Sequence, residues 1–153
     1  MDLIRTNSEN LDFIKLVKLL DLGLQKTDGD EYSFYAQFNK LDSIKHVVIV
    51  YENKIPVGCG AIKQFDEKTM EIKRMFTSPN YRGKGIASLI LGELEKWATE
   101  LSFYKCILET GVKQPDAIGL YYKNGYKLIS NYGQYKGAIN SKCFEKVISH
   151  MSN

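Results

Sequence analysis

The stretch of this chain that most restricts its fold is residues 71–87, which read EIKRMFTSPNYRGKGIA. It begins with a strand pattern, turns at Pro79, and reaches a glycine-spaced loop at residues 82–87, directly before an amphipathic helix. Glycines allow several backbone N–H groups to converge on one point, and the start of a helix adds a partial positive charge. Arg82 and Lys84 add full positive charges beside that point. The stretch therefore predicts a strand, an anion-binding loop and a helix in succession.

The loop alone does not identify its anion, and a plain surface turn before a capped helix is an alternative interpretation. It is not a Walker loop, because no Gly-x-x-x-x-Gly-Lys-Ser/Thr sequence is present. It is not a Rossmann fingerprint either, because the three glycines and the later acidic residue are not at the required places. A phosphate or a pyrophosphate both fit the pattern.

Composition and length set the class of protein. With 153 residues, 44% of them apolar and 25% charged, the chain is predicted to form one soluble globular domain over residues 1–153. No apolar run approaches the roughly 18 residues that span a bilayer, and the polar N-terminus lacks the layout of a signal peptide. The net charge of +3 permits an anionic ligand without indicating nucleic acid, because no aromatic platform alternates with the basic residues.

The cysteines and histidines indicate a reducing compartment and no metal site. Cys59, Cys106 and Cys143 are odd in number and widely scattered, which argues against a disulfide framework. His46 and His150 lie far apart, so the spacing of a zinc site is missing. We therefore expect a cytoplasmic protein that binds no metal.

Hydrophobic periodicity predicts an α+β domain with a mixed sheet. Strands are predicted at residues 3–5, 46–51, 56–63, 70–77, 105–110, 126–129 and 142–147, and helices at 11–24, 31–39, 86–101 and from 115 to a stop at Gly125. The three consecutive strands between residues 46 and 77 are joined by short turns, which predicts an antiparallel meander. The next strand follows a loop and a helix, which predicts a crossover and parallel pairing.

Side-chain patterns add three expectations about the helices. Thr6 and Glu9 have the spacing of a capping box before the first helix, with Asn7 or Ser8 as alternative caps. The aromatic residues near the 31–39 helix either fill the core or line a substrate pocket; they are Tyr32, Phe34, Tyr35 and Phe38. The buried stripe of the 86–101 helix is predicted to contain Ile86, Leu89, Ile90, Leu94, Trp97 and Leu101.

Two motifs together resemble a known superfamily. Residues 82–87, RGKGIA, fit the Arg/Gln-x-x-Gly-x-Gly/Ala motif of the GNAT superfamily of acetyl-CoA-dependent N-acetyltransferases. Residues 117–126, AIGLYYKNGY, resemble its second motif, Ala-x-x-Leu-Tyr-x-x-x-Gly-Phe/Tyr. The order of elements also matches over about residues 47–147. The resemblance implies one N-acetyltransferase domain, an α/β/α sandwich whose mostly antiparallel sheet has about seven strands and is flanked by about four helices.

The resemblance implies that acetyl-CoA is the cosubstrate. In such enzymes the strand before the loop pairs with the pantetheine arm, and the loop N–H groups hold the pyrophosphate. Small residues are needed where the backbone approaches the cofactor. The cofactor-binding residues implied in this sequence are Met75, Phe76, Thr77, Arg82, Gly83, Lys84, Gly85, Ile86, Ala87 and Tyr121.

An amine must lose a proton before it attacks a thioester, because the pKa of an alkylammonium is about 10. A carboxylate in a shielded cleft can accept that proton directly or through a water. Glu71 stands where the resemblance implies the general base, and strand alternation predicts that Lys73 and Met75 share its face. The alternatives are that Glu71 only pairs with a cross-strand lysine, or that Glu109 is the base.

The resemblance also implies two further catalytic groups. The backbone N–H of Met75 is placed near the thioester oxyanion. Tyr121 matches the tyrosine that protonates the leaving thiolate, whose pKa is near 8.5. The alternative for Tyr121 is a buried aromatic that only packs on the cofactor. Tyr122 is expected to pack or to lie at the surface.

The predicted function is transfer of an acetyl group from acetyl-CoA to a primary amine of a small molecule or peptide, by direct attack in a ternary complex. The alternative is a non-catalytic acyl-CoA-binding module. No nucleic acid or membrane partner is expected, and a homodimer is left open. The acceptor is not identified by any motif; residues that could reach it, or that form an ordinary solvent-facing turn, are Tyr35, Phe38, Asn131, Tyr132, Gln134 and Tyr135.

Overall fold

The computed structural model describes residues 1–28 and 44–149. Within these ranges seven strands form one sheet: β1 (Asp2–Thr6), β2 (His46–Glu52), β3 (Ile55–Gln64), β4 (Thr69–Thr77), β5 (Lys105–Gly111), β6 (Lys127–Ile129) and β7 (Ser141–Val147). The same ranges contain three α-helices, α1 (Leu11–Asp28), α2 (Ile86–Glu100) and α3 (Pro115–Lys123). The helix predicted at 31–39, with its aromatic cluster, lies outside the described residues.

The sheet is mixed and mostly antiparallel, as predicted. Its strand order is β1-β2-β3-β4-β5-β7-β6. The pairs β1–β2, β2–β3, β5–β7 and β6–β7 are antiparallel, whereas β4 and β5 are parallel. The parallel pair is the one joined by the loop and α2, because a crossover helix returns the chain to the end of the sheet at which β4 began.

The chain divides into two compact units, which interrupt each other in sequence. The first contains Met1–Lys63 and Ile72–Leu94, and the second contains Gln64–Glu71 and Glu95–Asn153. The single domain expected over residues 1–153 therefore stays a prediction. None of the helices in the described ranges combines the length and the apolar character needed to cross a membrane.

In the first unit, α1 and α2 contact opposite faces of β3. Cys59 and Ala61 belong to a buried cluster with Phe13 and Leu16 of α1. The alternate residues Gly58 and Gly60 lie against side chains of α2. Because successive residues of a strand point to opposite faces, the two helices form separate layers.

Two local expectations about α1 are wrong. Its cap is Asn10, whose Oδ1 accepts hydrogen bonds from the backbone N–H groups of Asp12 (2.9 Å) and Phe13 (3.1 Å). The predicted capping box of Thr6 and Glu9 does not form there, because β1 continues to Thr6 and the helix begins only at Leu11. The helix also continues past its predicted end at residue 24 to Asp28. A glycine in a helix costs only about 1 kcal/mol relative to alanine, so Gly23 does not end it.

The buried stripe of α2 differs from the predicted one. Leu89 and Leu101 are exposed, by 46% and 37%, whereas Leu91 and Ala98 are fully buried. The stripe that faces the sheet consists of Ile86, Ile90, Leu91, Leu94 and Ala98. Most of these residues are four positions apart, so the buried stripe covers a narrower arc of the helix than the predicted set of apolar residues does.

The absence of a side chain at Gly60 allows α2 to pack closely on the sheet. A Cβ at this position would lie 2.7 Å from Ile90 Cγ2 and 2.6 Å from Met75 Sδ. The Met75 thioether is flexible, but Ile90 Cγ2 is attached directly to Cβ, so relief requires the helix itself to shift. We therefore expect Gly60→Ala to lower the free energy of unfolding by about 1–3 kcal/mol, measured by denaturant unfolding.

Gly92→Ala is the matched control, because it adds the same methyl group within α2 where no atom lies within 4 Å. Alanine is the better helix former, so this change is expected to raise the free energy of unfolding by about 0.5–1 kcal/mol. Equal effects of the two substitutions would contradict close packing at Gly60.

Candidate active site

The glycine-spaced loop connects β4 to α2 through a short 3-10 turn at Pro79–Tyr81. Gly83 and Gly85 have φ angles of 77° and 82°, in the left-handed region that favours glycine. A Cβ on either residue would meet no atom within 4 Å. Backbone conformation, and not crowding by neighbours, therefore requires glycine at both positions.

The loop ends in the first turn of α2. The N–H of Leu89 donates a 3.0 Å hydrogen bond to the carbonyl of Gly85, which closes that turn. The N–H groups of Ile86 and Ala87 lie in it, where an α-helix offers no earlier carbonyl to accept them. Such N–H groups and the helix dipole favour an anion. The loop thus has the local geometry that the sequence predicts for a phosphate-binding turn.

The two basic residues of the loop contact the turn beside them. Arg82 Nε donates a 2.9 Å hydrogen bond to the carbonyl of Thr77, and its guanidinium lies 5.8 Å from the centre of the Phe76 ring. Lys84 Nζ lies 5.2 Å from the centre of the Tyr81 ring. Arg82 therefore fastens the loop to the end of β4, in addition to supplying positive charge.

The alternation of β4 is interrupted at Arg74, which is buried and has a φ of 60°. A left-handed residue cannot continue a regular strand, so the strict alternation predicted from Glu71 to Met75 is not maintained. The Arg74 carbonyl accepts a 3.4 Å hydrogen bond from Cys59 Sγ. Beyond it, Met75 lies against Gly60 on the α2 face and Phe76 joins the α1 cluster. The oxyanion role of the Met75 N–H stays a prediction.

Glu71, in the second unit, is bound by a tyrosine that follows β6. The phenol of Tyr132 donates a 2.6 Å hydrogen bond to Glu71 Oε2. The Glu71 residue is only 8% exposed. This contact is with a phenol, and the pairing of Glu71 with a cross-strand lysine stays an alternative prediction.

Glu109 lies on the same face of the sheet as Glu71. Glu71 pairs with Ile107 across β4 and β5, and Glu109 is two residues after Ile107. Side chains two residues apart on a strand share a face. Ser141 Oγ donates a 2.7 Å hydrogen bond to Glu109 Oε2.

The charges of both carboxylates act on two other groups, Tyr135 and Cys143. Burial raises the pKa of Tyr135, and the negative charges of Glu109 and Glu71 raise it further. The pKa of the Cys143 thiol is raised to about 11, first by burial and then by the same two charges, against a lowering by the Tyr132 backbone N–H. Tyr135 and Cys143 are therefore uncharged at neutral pH. The residues that the fold brings together here are Glu71, Glu109, Tyr132, Tyr135, Ser141 and Cys143.

Tyr121 lies on α3 and is 6% exposed. Its ring centre is 5.9 Å from that of Tyr126 and 6.0 Å from that of Phe144. Burial raises the pKa of Tyr121, and the charge of Glu109 raises it further. The phenol is therefore protonated at neutral pH, which is the form that a proton donor requires. The neighbouring Tyr122 is 51% exposed, as its expected surface position implies.

The end of α3 fixes the backbone on which Tyr121 stands. Gly125, predicted to stop the helix, has a φ of 88°. The N–H of Tyr126 donates a 3.0 Å hydrogen bond to the carbonyl of Tyr121, a 6→1-type closure of the helix end. The Tyr126 phenol then donates a 2.9 Å hydrogen bond to Glu95 Oε2, while Lys146 Nζ donates one of 2.9 Å to Oε1.

Sequence reasoning named Tyr132 and Tyr135 only as residues that could reach the acceptor. It did not find the bond between Tyr132 and Glu71, which are 61 residues apart. No local spacing links them, since the contact depends on the path of the chain after β6. The other acceptor candidates, Tyr35 and Phe38, lie outside the described residues.

The comparison with protein families gives a clear result. The family model described as acetyltransferase (GNAT) family matches residues 13–126, which is more than half of the chain. The chain belongs to the GNAT acetyltransferase family.

Individual relatives agree with this membership. A Klebsiella pneumoniae structure assigned to the acyl-CoA N-acyltransferases has a TM-score of 0.81 and 28% identity, covering 97% of each chain. The PaiA N-acetyltransferase of Thermoplasma acidophilum, in complex with coenzyme A, has a TM-score of 0.70 and 18% identity, covering 96% of this chain and 99% of that one. The uncharacterized N-acetyltransferase YedL of Escherichia coli is 35% identical over 57% of this chain and 56% of its own. The match thus spans little more than half the length of that curated relative.

The GNAT match has a limit that concerns the site. It contains Glu71, the glycine-spaced loop and Tyr121, and it ends at Tyr126. Tyr132 and Tyr135 come after its last residue.

Proposed function

We propose that this GNAT family chain transfers an acetyl group from acetyl-CoA to a primary amine of a small molecule or peptide, by direct attack in a ternary complex. The observation that carries the proposal is the loop, in which two left-handed glycines lead into the start of α2 at Ile86. That geometry suits a pyrophosphate. The coenzyme A bound to the Thermoplasma relative supports the same cosubstrate.

The proposed cofactor residues divide by the group that each would hold. The N–H groups of Gly83, Gly85, Ile86 and Ala87 suit the pyrophosphate, with positive charge added by Arg82 and Lys84. The end of β4, at Met75, Phe76 and Thr77, suits the pantetheine arm, and Arg74 interrupts the regular strand just before it. When bound, acetyl-CoA supplies an activated acyl group as a thioester.

The proposed chemistry needs one base and one acid. Glu71 accepts the proton of the acceptor ammonium, which frees a lone pair on nitrogen. A C–N bond forms at the thioester carbonyl and the C–S bond breaks, with the N–H of Met75 donating to the carbonyl oxygen. Tyr121 gives its phenol proton to the thiolate and regains one from the nitrogen of the product, and Glu71 releases the proton it accepted to solvent, which restores both groups.

Release of free thiol from acetyl-CoA, measured with a panel of amines, tests the proposal. We expect amine-dependent thiol release by the wild type and a kcat about 10- to 100-fold lower for Glu71→Gln, which keeps the shape of the side chain but removes its basicity. Glu67→Gln is the matched control, because Glu67 lies exposed in the turn before β4. Acetyl-CoA binding without thiol release from any amine would instead indicate a non-catalytic binding module.

A further inference from the structure

We infer that Tyr132 is a positioning residue whose phenol fixes the Glu71 carboxylate in the orientation that takes the proton from the acceptor amine. The inference rests on the proposed function, in which Glu71 is the general base. Its basis is the 2.6 Å hydrogen bond from the Tyr132 phenol to Glu71 Oε2. That length is typical of a strong bond to a charged oxygen.

The Tyr132 ring is held on two sides. Phe65 contacts it edge to face, with ring centres 5.2 Å apart and planes at 77°. Tyr135 does the same at 5.7 Å and 88°. A donor whose ring is fixed by two aromatic neighbours can orient a carboxylate, because it loses little further freedom when the bond forms.

The backbone around Tyr132 is held as well. The N–H of Tyr135 donates a 2.9 Å hydrogen bond to the carbonyl of Tyr132, which closes the short turn between them. Asn131 Nδ2 donates one of 2.9 Å to the carbonyl of Ala138, which closes the larger loop. The donor is therefore positioned before any acceptor arrives.

The groups around Glu71 keep the Tyr132 phenol protonated, so that it can donate the hydrogen bond. The titratable groups near Glu71 or on its sheet face include Tyr132, Tyr135, Cys143, Glu109 and the ion pair of Lys105 with Glu145. Burial raises the pKa of the Tyr132 phenol, and the charge of Glu71 raises it further, so the phenol stays a donor. A donor favours the charged form of a carboxylate.

The same contact has one competing interpretation. The phenol could cap Glu71 only until the acceptor ammonium displaces it. In that case the acceptor competes with Tyr132, and loss of the phenol would lower the KM for the amine while kcat stays the same. If Tyr132 instead positions Glu71, its loss should lower kcat and leave the KM for the amine the same, because a positioning residue acts on the proton transfer and not on binding.

Tyr132→Phe separates the two, because it keeps the ring contacts and removes only the hydroxyl. We expect kcat to fall about 10-fold with the KM for acetyl-CoA unchanged. Tyr122→Phe, the same change at an exposed residue, should alter neither. A lower KM for the amine with unchanged kcat would overturn the inference.

The double variant Glu71→Gln with Tyr132→Phe shows whether Tyr132 acts through Glu71. If it does, the second substitution should have less than a twofold effect on kcat/KM once Glu71 is replaced. A full 10-fold effect in the Glu71→Gln background would overturn the inference. A wild-type rate for Glu71→Gln alone would overturn the general base itself, and with it this role of Tyr132. If Glu71→Gln lowers the rate and Tyr132→Phe does not, the positioning role of Tyr132 is overturned while the general-base role of Glu71 stands.

Discussion

Gly85→Glu is expected to weaken acetyl-CoA binding at least about 100-fold. Two effects act together at this position. A φ of 82° costs a side-chain-bearing residue about 1–2 kcal/mol, so the loop would rearrange and its N–H groups would no longer converge. The new carboxylate would also repel the negatively charged phosphates. Titration calorimetry with acetyl-CoA measures the loss directly.

The control for this prediction is Gly92→Glu. It adds the same charge further along α2, at a residue with open space around its Cβ. We expect its Kd for acetyl-CoA to stay within about threefold of the wild type, because exposed charges more than a Debye length away are largely screened. If Gly85→Glu binds acetyl-CoA as tightly as Gly92→Glu does, the loop is not the pyrophosphate site.

Tyr121→Phe is expected to lower kcat by roughly 10- to 10³-fold with little change in affinity for acetyl-CoA. The substitution keeps the ring that packs against Tyr126 and Phe144 and removes the only proton that the side chain can give. General acid catalysis typically contributes 10²- to 10⁴-fold, of which water can replace a part. Steady-state thiol release at saturating amine measures the change.

Tyr122→Phe is the matched control for Tyr121→Phe, since the two residues are adjacent on α3 but Tyr122 is 51% exposed. We expect its kcat to match the wild type. Thermal unfolding of both variants checks that the helix is intact, because Tyr121 is buried and its substitution could disturb the packing. A kcat unchanged by Tyr121→Phe would leave this residue with a packing role only.

Much of the fold follows from local sequence signals. Each predicted strand among the described residues is present, with ends that differ by at most one residue from the prediction. The parallel pairing of β4 with β5 follows from the length of the connection through α2. The errors are at places where packing decides between local alternatives, as with the Asn10 cap and the exposed Leu89.

The two halves of the candidate site differ in how well sequence predicts them. Gly83 and Gly85 adopt left-handed φ angles, which only glycine tolerates at little cost. The spacing of these glycines in the sequence is therefore enough to predict the loop. Glu71 is found by its distance along the chain from that loop, and Tyr121 by its place in the motif at residues 117–126. The interruption of β4 at Arg74 has no such signal, because arginine rarely adopts a left-handed φ.

The sequence by itself determined the strand, the glycine loop and the start of α2, because each depends on the conformational preferences of neighbouring residues. Only the tertiary structure decided what surrounds Glu71. Its bond with Tyr132 joins residues 61 positions apart, and its place beside Glu109 depends on the register of β4, β5 and β7. Strand register is set by the packing of whole faces and by chain connections, so a one-residue shift would turn either carboxylate to the other side.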